Sequence, residues 1–273
     1  MWNLNVPKIC HIYWGGGPLL YLRYLTVRTF IKLNPDWQVI LWYPEYSFTG
    51  KSWGIEHNYL PLNPTLCKDY LPELLELPIT KMPIDFSSLG FKKETPEVHK
   101  ADYTRINVLH LYGGVWVDLD ILFFKSMSDL EVNTTENKYK ETYVCISPSY
   151  GHSTGFNMAI EGSKFFGTLK ENMNKEYNPS GYQCWGPDIF NKYFKKLEDI
   201  PNAVNLGMDV VYAHDCYTLK ELLETNNPRF TEGSIGCHWY AGHSMWGKFF
   251  NETKGGTVNL PDNIIGNLIR NAE

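Results

Sequence analysis

The chain has 273 residues, of which 43% are hydrophobic, 15% aromatic and 20% charged. That is enough apolar material for a sizeable core, which excludes a disordered or fibrous chain. The formal net charge of -5 leaves no basic surface broad enough to wrap a nucleic acid, so a nucleic-acid partner is not expected. Nine Trp, 18 Tyr and 14 Phe are more aromatic surface than a core requires, and such side chains line sites for flat or sugar-like ligands.

In chain order, Lys8 to Trp14 reads as a strand closed by Gly15-Gly16-Gly17-Pro18, and Leu19 to Leu33 has helical spacing. Trp37 to Tyr43 is a short apolar strand of the kind covered on both faces of a parallel sheet. From Leu60 to Pro96 the prolines leave little regular structure beyond a helix near Pro72 to Leu77. Val98 to Tyr112 predicts a helix stopped by Gly113-Gly114, and the following VWVDLD predicts a strand. TYVCIS and FNMAI predict two more strands, and Ser163 to Met173 and Asp188 to Lys196 two more helices. Alternating β and α elements without a linker argue a single α/β domain over residues 1–273, Rossmann-like, with a doubly wound, mostly parallel sheet flanked by helices. Six scattered cysteines without a CxxC pair read as reduced core residues, and no stretch reaches the ~18 apolar residues of a membrane span. The expectation is a cytoplasmic protein with no integral membrane segment, membrane association through a lost anchor being left open.

Two features carry chemistry. If VWVDLD is a strand, Trp116, Asp118 and Asp120 share one face, and the two carboxylates lie roughly 7 Å apart at the strand end where such sheets bind ligands. Two carboxylates so placed repel unless a cation sits between them, and hard oxygen ligands suit Mg²⁺ or Mn²⁺. A bare Asp-x-Asp is a common chance match. The preceding helix adds weight: Val98, Ala101, Asp102, Arg105, Leu109 and Tyr112 fall on one apolar stripe, so a carboxylate and a guanidinium face the core. Charges there are costly unless paired, and the plain alternative is a structural ion pair at (i, i+3) spacing.

The chain ends add a platform and a ligand. Trp14 stands where the first strand enters its glycine turn, the edge of a ligand crevice in this class of sheet. His238-Trp239-Tyr240-Ala241-Gly242-His243-Ser244-Met245-Trp246 holds two histidines, either of which could complete a metal site with Asp118 and Asp120. Gly242 to Lys248 also fits G-x-x-x-x-G-K, but Phe249 stands where a phosphate loop needs Ser or Thr.

The blocks PKICHIYWGGGP, ADYTRINVLHLYGGVWVDLDILFF, WGPDIFNKYF and HWYAGHSMW, in this order, resemble glycosyltransferases of the DXD sugar-binding group, which includes capsular polysaccharide synthesis enzymes and initiating mannosyltransferases and has the clostridial glucosylating toxins as distant relatives. The resemblance implies a GT-A fold, with a nucleotide-binding half over about residues 1–125 and an acceptor-side half over about 126–273. It also implies a nucleotide-sugar donor (a UDP-sugar favoured, a GDP-sugar admitted), Mn²⁺ or Mg²⁺, and transfer of a hexose with retention to a glycan or to a protein- or lipid-linked acceptor. Carried over by position, Trp14 stacks on the base, and Asp102 and Arg105 contact donor sugar and diphosphate. Asp118 meets ribose and metal, Asp120 and His238 bind the metal, and Asn157, Ser244 and Trp246 complete the donor site. Asp102, Arg105 and Asp188 are the catalytic candidates. Trp116 replaces the family's more usual Tyr, and the end block departs from two adjacent histidines, which leaves His238 and His243 both open. A degenerate carbohydrate-binding protein and a nucleotide-sugar hydrolase are the alternatives.

Overall fold

The structure, a computed structural model, describes residues 2, 4–15, 17–46, 67–130, 132 and 139–273. Part of the proline-rich stretch, residues 60–66, therefore lies outside the described residues. The chain opens with β1 (Ile9–Tyr13), α1 (Tyr21–Leu33) and β2 (Gln38–Pro44), as the apolar runs and glycine turn predict. Next come α2 (Leu71–Leu75), β3 (Thr80–Ile84), α3 (Glu97–Tyr112), β4 (Gly114–Val117) and β5 (Ile121–Phe123). The remainder comprises β6 (Thr142–Ser147), β7 (Gly151–Ala159), α4 (Lys164–Glu176), α5 (Pro187–Tyr193), β8 (Ala203–Asn205), α6 (Glu221–Glu224), β9 (Gly236–His238), α7 (Trp246–Thr253) and α8 (Ile264–Ala272).

Seven strands form one sheet in the order β3-β2-β1-β4-β7-β6-β8. The pairs β3/β2, β2/β1, β1/β4 and β6/β8 are parallel; β7 runs antiparallel to both β4 and β6. The sheet is thus mostly parallel and flanked by helices, the expected GT-A arrangement. From β1 the chain moves to β2 on one side, while β4 occupies the other, so a crevice opens beyond the C-terminal ends of β1 and β4, where the winding reverses. One face of the sheet packs on Val27 and Phe30 of α1; the other packs on α3, α4 and α5 through Ile106, Phe165, Phe166 and Phe190. A third cluster, with Trp239, Trp246, Phe250 and Ile265, lies behind the small β5/β9 sheet.

Two sequence expectations are corrected. The proline-rich stretch contains β3, which the composition hid; it is an edge strand, where Pro83 removes no ladder bond that the sheet needs. VWVDLD is not one strand: β4 ends at Val117, and Asp118, Leu119 and Asp120 lie past its end, with Leu119 and Asp120 in a turn before β5 joins a second sheet. The Asp118 N–H still reaches Gly155 O (2.8 Å), but strand alternation is not what places the two carboxylates. No described helix is long and apolar enough to cross a membrane.

The glycine pair that stops α3 is fixed by backbone geometry. Gly113 has φ 64° and Gly114 φ 95°. A Cβ on Gly113 would lie 2.6 Å from Glu161 N, and one on Gly114 would overlap the Ile9 carbonyl of β1. Gly114 therefore lets β4 close against β1 and carry its end to the crevice. Gly114→Ala is expected to cost on the order of 3 kcal/mol, from left-handed strain and overlap with rigid backbone. Urea unfolding checks this, and a loss under about 0.5 kcal/mol would refute the backbone reading.

Candidate active site

The helix stripe and the strand end meet at one guanidinium. Asp102 and Arg105 are both buried on α3, and Arg105 Nη1 donates to Asp102 Oδ1 at 2.6 Å. Its Nη2 donates to Asp118 Oδ1 at 3.2 Å, and its plane lies 5.2 Å over the Trp116 ring. The Trp116 indole N–H donates to the same Asp118 oxygen at 2.7 Å. Trp116 is thus more than a substitute for Tyr: it holds Asp118 in place and caps the cation that pairs with it. Asp118 keeps a side chain 31% exposed toward the crevice. Gly155 of β7 backs it, since a Cβ there would come within 2.8 Å of Asp118 Oδ2 and 3.0 Å of the Tyr212 hydroxyl.

Asp120 is set from the opposite side. Its Oδ2 accepts the Ala241 N–H at 2.9 Å, and its Oδ1 lies 3.1 Å from His238 Nε2. Burial alone would push this carboxyl up; His238, Arg23 and the Ala241 N–H hold it well below the usual carboxylate range. One ligand atom from each of Asp118, Asp120 and His238 lies within 4.8 Å of the others. Two carboxylates and an imidazole converging in this way fit a hard divalent cation such as Mn²⁺ or Mg²⁺. It is His238 that joins the two carboxylates; His243 is exposed at the rim, with its Nδ1 accepting the Met245 N–H at 3.3 Å.

The crevice runs from Tyr13, Trp14, Gly15 and Glu97 past Asp102 and Arg105 to Asp118 and Asp120. Trp14 sits at its edge as expected, with its indole N–H donated to Gly17 O at 2.6 Å and the Arg23 guanidinium 5.2 Å over its ring. An adjoining hollow brings Asp188, at the start of α5, to the same space as Asp102, Arg105, Asp118 and His238. Just before it, a Cβ on Gly186 would lie 3.3 Å from Asp102 Oδ2, so the WGPD block abuts the α3 carboxylate.

The remaining expected donor residues lie apart from this lining. Asn157 is buried opposite Trp116 in the sheet register, its amide donated to Thr154 O at 2.7 Å and its Oδ1 without a partner. Trp246 is buried against Trp239 and Phe250, and its indole N–H supports the loop through Tyr240 O at 3.1 Å. Ser244 is exposed in that loop. The G-x-x-x-x-G-K match lacks the hydroxyl of a phosphate loop, because Phe249 stands in its place and is buried against Trp246 and Phe250. Sequence reasoning missed Arg23, Glu97, Tyr182 and Tyr212, all of which line the crevice or its annex. Arg23 had a readable signal, a charge in the otherwise apolar row Leu19, Arg23, Val27, and Glu97 had a weaker one, standing in line with Ala101 and Arg105 on the α3 stripe.

Burial pushes Asp102 up from its ordinary 3.8 to about 6, against the pull of Arg105 and with the help of Asp118. A carboxyl with a higher pKa in the folded state costs stability as pH rises from about 4 through 6, by about 3 kcal/mol for a two-unit shift. Between pH 4 and 7, urea unfolding of the metal-free protein should show Asp102→Asn gaining on the parent by that order. A difference constant across this range would contradict a burial-dominated Asp102.

Residues 23–140 match the family described as glycosyltransferase sugar-binding region containing DXD motif. Among solved structures, the PaToxG glycosyltransferase is 17% identical, with 71% of this chain and 70% of that one covered and a TM-score of 0.51. The galactosyltransferase LgtC, solved with donor and acceptor sugar analogues, is 13% identical, with 92% and 96% covered and a TM-score of 0.50. The bifunctional glycosyltransferase WbbM is 11% identical at TM-score 0.50; 99% of this chain is covered, spanning 50% of that one. No curated protein matches the chain in sequence. At these identities the structures speak for the fold, while the DXD match includes the Asp102, Arg105, Asp118 and Asp120 constellation. The resemblance read from the sequence is borne out: residues 23–140 match the DXD-containing glycosyltransferase sugar-binding family, and the fold is that of GT-A glycosyltransferases.

Proposed function

We propose that the protein is a metal-dependent hexosyltransferase that takes its sugar from a nucleotide-sugar donor, a UDP-sugar in preference to a GDP-sugar. The acceptor is a hydroxyl of a glycan or of a protein- or lipid-linked molecule, and the anomeric configuration is retained. The observation that carries this reading is the meeting of Asp118, Asp120 and His238 beside the Asp102–Arg105 pair, in a crevice with Trp14 at its other end.

Transfer breaks the bond between the anomeric carbon and the diphosphate oxygen and makes one to the acceptor oxygen. The developing charge is positive on the sugar and negative on the diphosphate. A Mn²⁺ or Mg²⁺ ion bound by Asp118, Asp120 and His238 would supply charge neutralisation at the leaving diphosphate. Arg105 adds a fixed cation on the same side, already oriented by Asp102 and Trp116, so little reorganisation accompanies the reaction. Trp14 offers a stacking plane for the base. Asp102 and Asp188 face the shared hollow, where carboxylates stabilise an oxocarbenium-like sugar and orient the acceptor hydroxyl.

Asp120→Asn keeps an acceptor for the Ala241 N–H and should fold normally, yet lower transfer by about a hundredfold or more. Near-parental turnover of this variant with added Mn²⁺ would sink the metal assignment. A thermal-shift series of UDP- and GDP-sugars with and without Mn²⁺ tests the donor class: stabilisation should require both components. Stabilisation by a free glycan alone would point to a carbohydrate-binding protein, and donor turnover unaffected by any acceptor to a hydrolase.

A further inference from the structure

We propose that Glu97 determines which nucleobase the crevice accepts, admitting bases with a ring N–H on their pairing edge, uracil or guanine, and disfavouring cytosine and adenine. The inference rests on the nucleotide-sugar reading above and concerns the end of the crevice away from the metal ligands.

Glu97 and Arg105 stand eight residues apart on α3, about 12 Å along the helix axis. With Arg105 at the Asp118 end, Glu97 falls at the other end, among Tyr13, Trp14 and Gly15. Its carboxylate is held rigidly. Lys100 Nζ donates to Oε1 at 2.6 Å, and the Tyr13 hydroxyl donates to Oε2 at 2.6 Å. Lys100 is 0% exposed and is enclosed by the rings of Tyr46 (5.1 Å) and Phe86 (6.0 Å). A buried ion pair of this kind adds little to stability compared with apolar residues of similar size. It does fix an acceptor-only group at the wall of a cleft. A carboxylate has about four lone-pair positions, and Lys100 and Tyr13 engage one on each oxygen. Glu97 lines the crevice with its side chain 10% exposed, so what remains of that capacity faces the cleft through a narrow opening.

Gly15 supports this reading. A Cβ there would overlap the Glu97 carboxylate, so glycine lets the loop after β1 lie directly against it, next to Trp14. A base stacked on Trp14 would thus present its edge near an acceptor that offers no proton. Uracil meets it with N3–H, and guanine with N1–H and its amino group. Cytosine and adenine turn a ring lone pair toward it at the corresponding position and keep only the neighbouring amino group as a donor, so they meet the carboxylate less well than a base that offers its ring N–H.

Isothermal titration of the protein with UDP, GDP, CDP and ADP in Mn²⁺ tests this. UDP or GDP should bind at least about tenfold more tightly than CDP and ADP, and the tighter of the two distinguishes uracil from guanine. Glu97→Gln/Lys100→Met removes both charges without stranding the lysine; it should reduce the discrimination to within about threefold while melting close to the parent. Equal binding of all four by the parent protein, which needs no variant to fold, overturns the inference and leaves the donor reading standing. Full discrimination in the double variant overturns it as well, and binding of none of the four removes the donor reading and the inference together.

Discussion

The Arg105 guanidinium is the joint on which the crevice depends. Its two arms reach Asp102 within its own helix and Asp118 beyond the end of β4, so one side chain ties the helix above the sheet to the turn where the sheet stops. Without it, two carboxylates would face each other across a buried gap, a costly arrangement. With it, Asp102 is still pushed up toward 6, which shows that the cation only partly offsets the burial. A buried arrangement of this kind adds little to stability.

The same logic is repeated along α3. Glu97 with Lys100 and Asp102 with Arg105 are two acid–base pairs at the same (i, i+3) spacing, both buried, on a helix that also buries Ile106, Val108 and Leu109. Each pair is closed by an aromatic residue of the sheet: Tyr13 of β1 bonds Glu97, and Trp116 of β4 caps Arg105. The aromatic excess in the composition therefore has a local use at the crevice. Much of the rest, such as Phe165, Phe166 and Phe190, is ordinary core between α4, α5 and the sheet.

What the sequence made legible follows the range of the interactions involved. Local signals, the stripe of α3, the Gly113-Gly114 stop and the apolar β1, β2 and β6, were readable because each is decided within a few residues. β3 was hidden because its Pro83 is tolerated only by an edge position that no local pattern announces. Asp118 and Asp120 were found as residues but not as geometry, since the strand ends one residue before Asp118 in favour of a second sheet. Spacing could not separate His238 from His243, because which of the two meets Asp120 depends on which is in a strand.

That strand pairing explains why the site has three converging groups where the sequence offers only a pair and a distant histidine. β5 and β9 pair antiparallel with Ile121 opposite His238 and Leu122 opposite Cys237. Along β9, His238 turns toward Asp120, while Cys237 turns into the apolar cluster around Trp239 and Phe250. The Trp239 N–H donates to Asp120 O at 2.9 Å, locking the turn to the strand that carries the imidazole. A slip of one residue in this short pairing would send Cys237 to the carboxylates and bury the histidine among the aromatics. The aromatic cluster behind β9, which includes Trp246, thus acts on the Asp118–Asp120–His238 cluster at a distance: it favours one register of the β5/β9 pair over its neighbour, and so fixes which side chain meets the two carboxylates.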